Sequence, residues 1–234
     1  LTALSQPADY TLTTMIEDKA VSLKQRSGEL WMPENYDKVE HGPVPLHEAL
    51  SNSYNLATVR LGMALKVPNV KRTIEELGIR RPIKPYPSLL LGALRLSPLE
   101  VTQMYQTLAG QGFYTPLRAV REVVTAEGER LQRYPMELQQ RVAANDIYLL
   151  NSLLQKVAVQ GTAKRLGVSS PGLNAAGKTG TTNDGRDAWF AGFTGEHLAV
   201  VWLGQDNNQP TSLTGSSGAL PIWEGLFKNL PSRP

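Results

Sequence analysis

The segment Lys178-Thr179-Gly180-Thr181 has residue types and spacing suited to holding a peptide. Read as a strand, it places Lys178 and Gly180 on one face, two residues apart. A glycine leaves the strand edge open, so that an extended peptide can pair with the backbone. Lys178 and the hydroxyls of Thr179 and Thr181 then offer donors to a carboxylate. A second polar group, Ser53-Tyr54-Asn55, precedes an apolar helical pattern. Ser53 is suited to relaying a proton between a nucleophile and a lysine, and Asn55 to holding a substrate amide. A simpler role is equally open at this point, because either residue could cap the helix that begins near Leu56.

The same lysine also completes Gly172-Leu173-Asn174-Ala175-Ala176-Gly177-Lys178-Thr179, which fits the G-x-x-x-x-G-K-[ST] phosphate-loop pattern. That loop works only when it leaves a buried strand and enters a helix whose first amides receive the phosphates. Here Ser169-Ser170-Pro171 precedes it as a turn, and Gly180 to Gly185 follows with hairpin signals. Nucleotide binding is therefore disfavoured. There are no cysteines, so thiolate metal sites, disulfides and cysteine nucleophiles are excluded. The histidines His41, His47 and His197 lack the spacing of a helical metal pair.

The elements that must position these residues follow from hydrophobic periodicity. Ala20–Lys24 and Glu29–Met32 flank Ser27-Gly28 as a hairpin. Leu46, Ala49 and Leu50 share one face of a short helix; Leu56, Val59, Met63 and Leu65 mark a second, and 70–77 a third closed by Gly78. Ser97-Pro98-Leu99-Glu100 carries a capping box with proline in the first turn, which predicts a helix as far as Gly110. Segments 118–125 and 130–134 form a second hairpin, and 145–160 the longest helix, with Ile147, Leu150, Leu154 and Val157 inward. Strands follow at 175–181, 187–193 and 198–203, joined by turns short enough to make them antiparallel. Residues 221–229 read as a closing helix with Trp223, Leu226 and Phe227 apolar. Across 234 residues, 24 basic and 21 acidic side chains give a net charge of +3, with the basic ones scattered rather than striped. Nucleic acid is not an expected partner. The longest apolar runs fall far short of the roughly 20 residues that span a bilayer.

Taken together, Ser53-Tyr54-Asn55 with Leu56–Val59, Pro87–Gly92 with Ser97–Glu100, and Lys178–Asn183 with Asp187-Ala188-Trp189-Phe190 resemble the transpeptidase domain of class A penicillin-binding proteins, most like the 1b type. The resemblance covers nearly the whole chain. It implies an α/β fold of the serine β-lactamase-like kind, with a central antiparallel sheet of about five strands and helices on both faces. It implies a D,D-transpeptidase that cross-links peptidoglycan stem peptides by acyl transfer from D-Ala-D-Ala through a serine acyl-enzyme, with β-lactams as substrate mimics. No cofactor or metal is expected. Ser53, Asn55, Lys178 and Thr181 are the expected catalytic residues, the last through its backbone amide in the oxyanion site. Tyr54, Thr179, Gly180 and Thr182 are expected to bind substrate.

One part of the family pattern is missing. No lysine of the chain has a serine three residues before it, so the Ser-x-x-Lys motif, which supplies the nucleophile and its base, is absent. It is expected upstream of Leu1, which makes residues 1–230 a transpeptidase domain lacking its nucleophile segment and 231–234 a domain edge. The resemblance further implies a parent protein with a membrane anchor and a glycosyltransferase domain, this domain lying in the periplasm or otherwise outside the cytoplasmic membrane. An activator and the division or elongation machinery are the expected protein partners, with no membrane contact by the segment itself. Two other readings stand beside this one: a non-catalytic fragment of the same fold, and a phosphate-loop nucleotide-binding protein.

Overall fold

The computed structural model describes residues 1–24 and 28–231. Strand β1 (Met15–Asp18) is followed by a small ribbon, β2 (Leu23–Lys24) with β3 (Leu30–Trp31), and by β4 (Gly42–Pro45), which returns antiparallel to β1. Helices α1 (Leu46–Asn52), α2 (Asn55–Ala64) and α3 (Val67–Glu76) come next, then a 3-10 turn at Pro87–Leu91 and α4 (Pro98–Ala109). Short strands β5 (Phe113–Tyr114) and β8 (Gln139–Gln140) pair around the hairpin of β6 (Glu122–Val124) and β7 (Arg130–Arg133). The chain continues through α5 (Ala144–Gln160), α6 (Arg165–Ser169), β9 (Ala176–Thr181), β10 (Asp187–Phe193), β11 (Leu198–Gly204) and α7 (Leu220–Lys228). The expected turn residue Ser27 and the expected domain edge at Ser232, Arg233 and Pro234 lie outside the described residues.

Local chemistry accounts for several boundaries. In α4 the Ser97 hydroxyl accepts the Glu100 amide while Glu100 accepts the Ser97 amide, and Pro98, which has no N–H to leave unpaired, occupies the first turn. α3 ends at Gly78, whose φ of +117° is open to glycine and costly to other residues. It begins three residues earlier than the periodicity predicts, because Pro68 starts the helix instead of breaking it. Of the apolar residues that mark these helices in sequence, Met63 and Leu226 are exposed, while Leu65 is buried.

The principal sheet is antiparallel in the order β11-β10-β9. Among the described residues it has three strands, not about five. The short N-terminal strands pair among themselves, β1 with β4 and β2 with β3. β4 could not serve a sheet interior in any case, since Pro43 and Pro45 donate no amide. Helices do cover both faces. One face carries Phe190, Ala199 and Val201 onto Leu220, Trp223 and Phe227 of α7. The other carries Ala176, Phe193 and Leu198 onto Leu108 of α4 and Ile147, Leu150 and Leu154 of α5. Phe190 meets Trp223 edge-on at 5.1 Å, and the Trp223 indole N–H donates to the carbonyls of Gly192 and Ala199, which satisfies its one buried polar atom.

Phe190 also explains a glycine of the phosphate-loop pattern. Gly177 pairs with Gly192 across the strands, and a Cβ on either would come within 2.7 Å of the Phe190 ring. Gly177 thus makes room for a core aromatic. The rest of the loop pattern fails too: it begins in a 3-10 turn at Pro171–Leu173, and Lys178 and Thr179 lie inside β9, which runs on to Thr181 instead of entering a helix.

Candidate active site

Ser53 forms the corner between α1 and α2. Its φ of 61° and ψ of 43° are left-handed, a conformation that costs a non-glycine residue on the order of 1–2 kcal/mol. The corner is held by the Tyr54 amide, which donates to the Ala49 carbonyl at 2.9 Å, and by the Ser53 amide, which donates to Leu50 at 3.2 Å. Neither Ser53 nor Asn55 caps α2. The residue at the N-cap position is Tyr54, with no side-chain capping bond. The simpler role open to these two residues in the sequence is therefore not the one they have.

The Ser53 hydroxyl instead accepts a hydrogen bond from Lys178 Nζ at 2.9 Å, across 125 residues of sequence. Lys178 also donates to the Thr179 carbonyl at 3.1 Å. It is half-buried, and loss of hydration lowers its pKa from 10.5 to about 8. Two tethers bring α1 and β9 together. A Cβ at Gly161 would lie 2.2 Å from the Ser51 carbonyl, so only glycine lets the end of α5 pass so close to α1. The next residue, Thr162, donates its amide to that carbonyl at 3.1 Å and shares a 2.6 Å hydroxyl hydrogen bond with Thr179.

β9 is an edge strand among the described residues. The Thr182 amide donates to Asp187 of the neighbouring chain segment, and antiparallel pairing alternates, so the Thr181 amide is directed to the open edge. The Thr181 hydroxyl accepts the Gly215 amide at 3.0 Å. Thr182 is committed to the turn, where its hydroxyl accepts the Asp187 amide at 2.8 Å and donates to the Asp187 carboxylate at 3.2 Å. A Cβ on Gly180 would press on Trp189 Cβ at 3.3 Å. A cleft of about 410 Å³ opens at the end of α5, with Asn52, Thr162, Lys164 and Ser216 in its wall; Ser53, Lys178 and Thr181 do not line it.

Tyr54 stacks on His41 with ring centroids 4.0 Å apart, and Asn55 Nδ2 donates to the Glu34 carbonyl at 2.8 Å. Asp18, Asn35 and His41, which stand behind this loop, belong to no motif. Nothing in their sequence neighbourhood marks them, because their partners are far along the chain. No group of three or more acidic, His or Cys side chains among the described residues is placed to hold a metal. No helix among them is long and apolar enough to cross a membrane.

Fold and strand edge define a class: a mixed α/β domain in which a lysine on a sheet edge meets a serine from the helical layer. The chain belongs to the penicillin-binding protein transpeptidase domain family, whose model it matches over residues 17–227. It is 44% identical to penicillin-binding protein 1B of Escherichia coli over 100% of this chain and 28% of that protein. It is also 44% identical to penicillin-binding protein 1B of Vibrio cholerae over 97% of this chain and 30% of that protein. The chain thus spans under a third of the length of these relatives. Among solved structures, penicillin-binding protein 1A from Haemophilus influenzae superimposes with a TM-score of 0.89 at 20% identity, over 99% of this chain and 41% of that one. PonA1 from Mycobacterium tuberculosis in complex with penicillin V gives 0.82 at 23% identity, over 100% of this chain and 68% of that one.

Proposed function

We propose that this domain carries out the acyl-transfer step of peptidoglycan cross-linking within a longer, class A-type synthase. The observation that carries the reading is the hydrogen bond from Lys178 to Ser53 at the open edge of β9, in a chain of the transpeptidase family. A serine of a Ser-x-x-Lys motif, carried by the parent protein outside these 234 residues, attacks the carbonyl carbon between the two D-alanines of a stem peptide. The C–N bond breaks, the departing D-Ala amine takes a proton, and an acyl ester remains on the serine. An amine of a second stem peptide then attacks the ester and restores the hydroxyl. Penicillin follows the first half of this route and stays attached. Serine is a weak nucleophile and needs an adjacent base, which the motif lysine supplies without a histidine.

In this scheme Ser53 relays the proton to or from the departing group, and Lys178 binds the terminal carboxylate of the donor and keeps the strand edge electropositive. The outward Thr181 amide donates to the oxyanion of the tetrahedral intermediate. Asn55 holds an amide of the donor peptide, Tyr54 borders it, and Thr179 and Gly180 line the strand along which it pairs, with Thr182 closing the far end. No cofactor takes part. The domain works outside the cytoplasmic membrane, on a parent protein with its own membrane anchor and glycosyltransferase domain. The test uses the full-length parent. Lys178→Ala slows acylation by benzylpenicillin by roughly 100-fold or more, with the circular-dichroism spectrum and melting cooperativity retained. Acylation at the unsubstituted rate removes Lys178 from the mechanism.

A further inference from the structure

The first amides of a helix need acceptors, and side chains at the N-cap usually provide them. At α2 they come from far away. The Leu56 amide donates to Asn35 Oδ1 at 3.2 Å, and the Ala57 amide to Asp18 Oδ1 at 2.9 Å. Asp18, at the end of β1, is completely buried, and Asn35 is 4% exposed. The other Asp18 oxygen accepts from Asn35 Nδ2 at 2.7 Å, from the His41 amide at 3.1 Å and from His41 Nδ1 at 2.7 Å. Asn35 Nδ2 donates also to the Val39 carbonyl. His41 Nε2 faces Asp37 at 3.2 Å, and the imidazole face lies on Tyr54 at an interplanar angle of 18°. Burial works to raise the Asp18 pKa, but the donors from His41, Ala57 and Asn35 outweigh it and leave the carboxyl below its ordinary value. The group at the head of α2 is thus an anion, the charge that a helix N-terminus favours.

The consequence concerns Ser53 and Asn55. They are the residues chemically equipped to cap α2, and a remote carboxylate and amide do so in their place. Their side chains are released, Ser53 to Lys178 and Asn55 to the Glu34 carbonyl. We propose that Asp18, with Asn35 and His41, is a positioning cluster that fixes the Ser53-Tyr54-Asn55 corner, Asp18 and Asn35 through the head of α2 and His41 through the Tyr54 ring. It acts on the rate of the chemical step and not on the folding of the domain alone. The inference rests on the function proposed above.

In the full-length protein, acylation by a fluorescent penicillin is resolved into its half-saturating concentration and its limiting rate constant, well below the melting temperature of each variant. Asp18→Asn keeps the shape and loses the charge. His41→Phe keeps a stacking ring on Tyr54 and loses the bond to Asp18, and His41→Ala loses both. A small displacement of a relay hydroxyl is costly, so the limiting rate falls about tenfold or more in Asp18→Asn and His41→Ala. It falls less in His41→Phe, and the half-saturating concentration changes less than the limiting rate in all three. Lys178→Ala is measured beside them. If it is inert while the folded Asp18→Asn and His41→Ala proteins keep the unsubstituted limiting rate, the positioning inference is overturned and the function stands. If it acylates normally, both fall. Should Asp18→Asn fail to fold, the His41 pair decides: equal limiting rates in His41→Ala and the unsubstituted protein overturn the inference.

Discussion

Glu224, on the α7 side of the sheet, and Lys178, at the sheet's open edge, are the two charges whose surroundings contrast most usefully. Glu224 is 2% exposed, yet Arg165 Nε reaches one carboxylate oxygen at 2.8 Å. Lys228, Ser169 and Ser170 all donate to the other. Burial works to raise its pKa, but hydrogen bonds from Lys228, Ser169, Ser170 and Arg165 outweigh that and hold the carboxyl well below the usual carboxylate range. The anion fastens α6 and the turn after it to α7. Lys178 is also drawn out of water, but it donates to a hydroxyl and a carbonyl, which do not neutralise it. Its depressed pKa records that cost. A buried charge held by opposite charges is costly to remove because its partners are left uncompensated, whereas one supplied with neutral acceptors keeps its field for something that arrives later.

The contrast can be broken by substitution, beginning with the largest change in stability. Glu224→Ala lowers the unfolding free energy by about 2–4 kcal/mol, since several charge-assisted bonds vanish at once, while penicillin acylation by the folded parent protein is unchanged. Urea titration measures this. Because the folded pKa lies below the unfolded one, the Glu224 contribution is present above its unfolded value of 4.5 and is lost as pH falls through the folded pKa. The gap between Glu224→Gln and the unsubstituted protein therefore narrows on acidification. A gap independent of pH would mean that packing, not charge, is what Glu224 supplies.

Lys178→Met works in the opposite direction. It removes a desolvated cation and raises stability by about 1–3 kcal/mol at neutral pH. The sign follows from a folded pKa of about 8 against 10.5 in the unfolded chain. The penalty is fully present below pH 8 and is relieved as pH rises towards 10.5, so the advantage of Lys178→Met disappears over that interval. Thermal melts at pH 7 and pH 10 test this, and a destabilised Lys178→Met protein would show that Lys178 is a structural charge like Glu224. The smallest effect belongs to the corner. Ser53→Gly relieves the left-handed strain but loosens the unfolded chain, so stability moves by less than about 1 kcal/mol. Acylation nevertheless falls by roughly 100-fold with loss of the relay hydroxyl.

Much of this architecture was legible locally. The Ser97–Glu100 capping box placed α4, the spacing of Ile147, Leu150, Leu154 and Val157 placed α5 with its correct inward face, and the turn residues placed β9, β10 and β11 in antiparallel order. Lys178 and Ser53 were both visible as chemically suited residues. The principal sheet has three strands among the described residues where the resemblance implied about five. Which partner a short strand takes is decided by competition between distant segments, and β1 takes β4.

What the sequence determined by itself is therefore the longer helices and the strands of the principal sheet, the presence of a lysine motif on a strand, and the failure of the phosphate loop to meet a helix. Those depend on periodicity, caps and turns, which act over a few residues. Tertiary structure alone decided that Ser53 is a corner residue facing Lys178 and that Gly177 serves the Phe190 ring. It alone decided that α2 is capped from Asp18 and Asn35, 39 and 21 positions before the residues they receive. A free amide at the head of a helix accepts any suitably placed acceptor, and only the folded chain establishes which one is within reach.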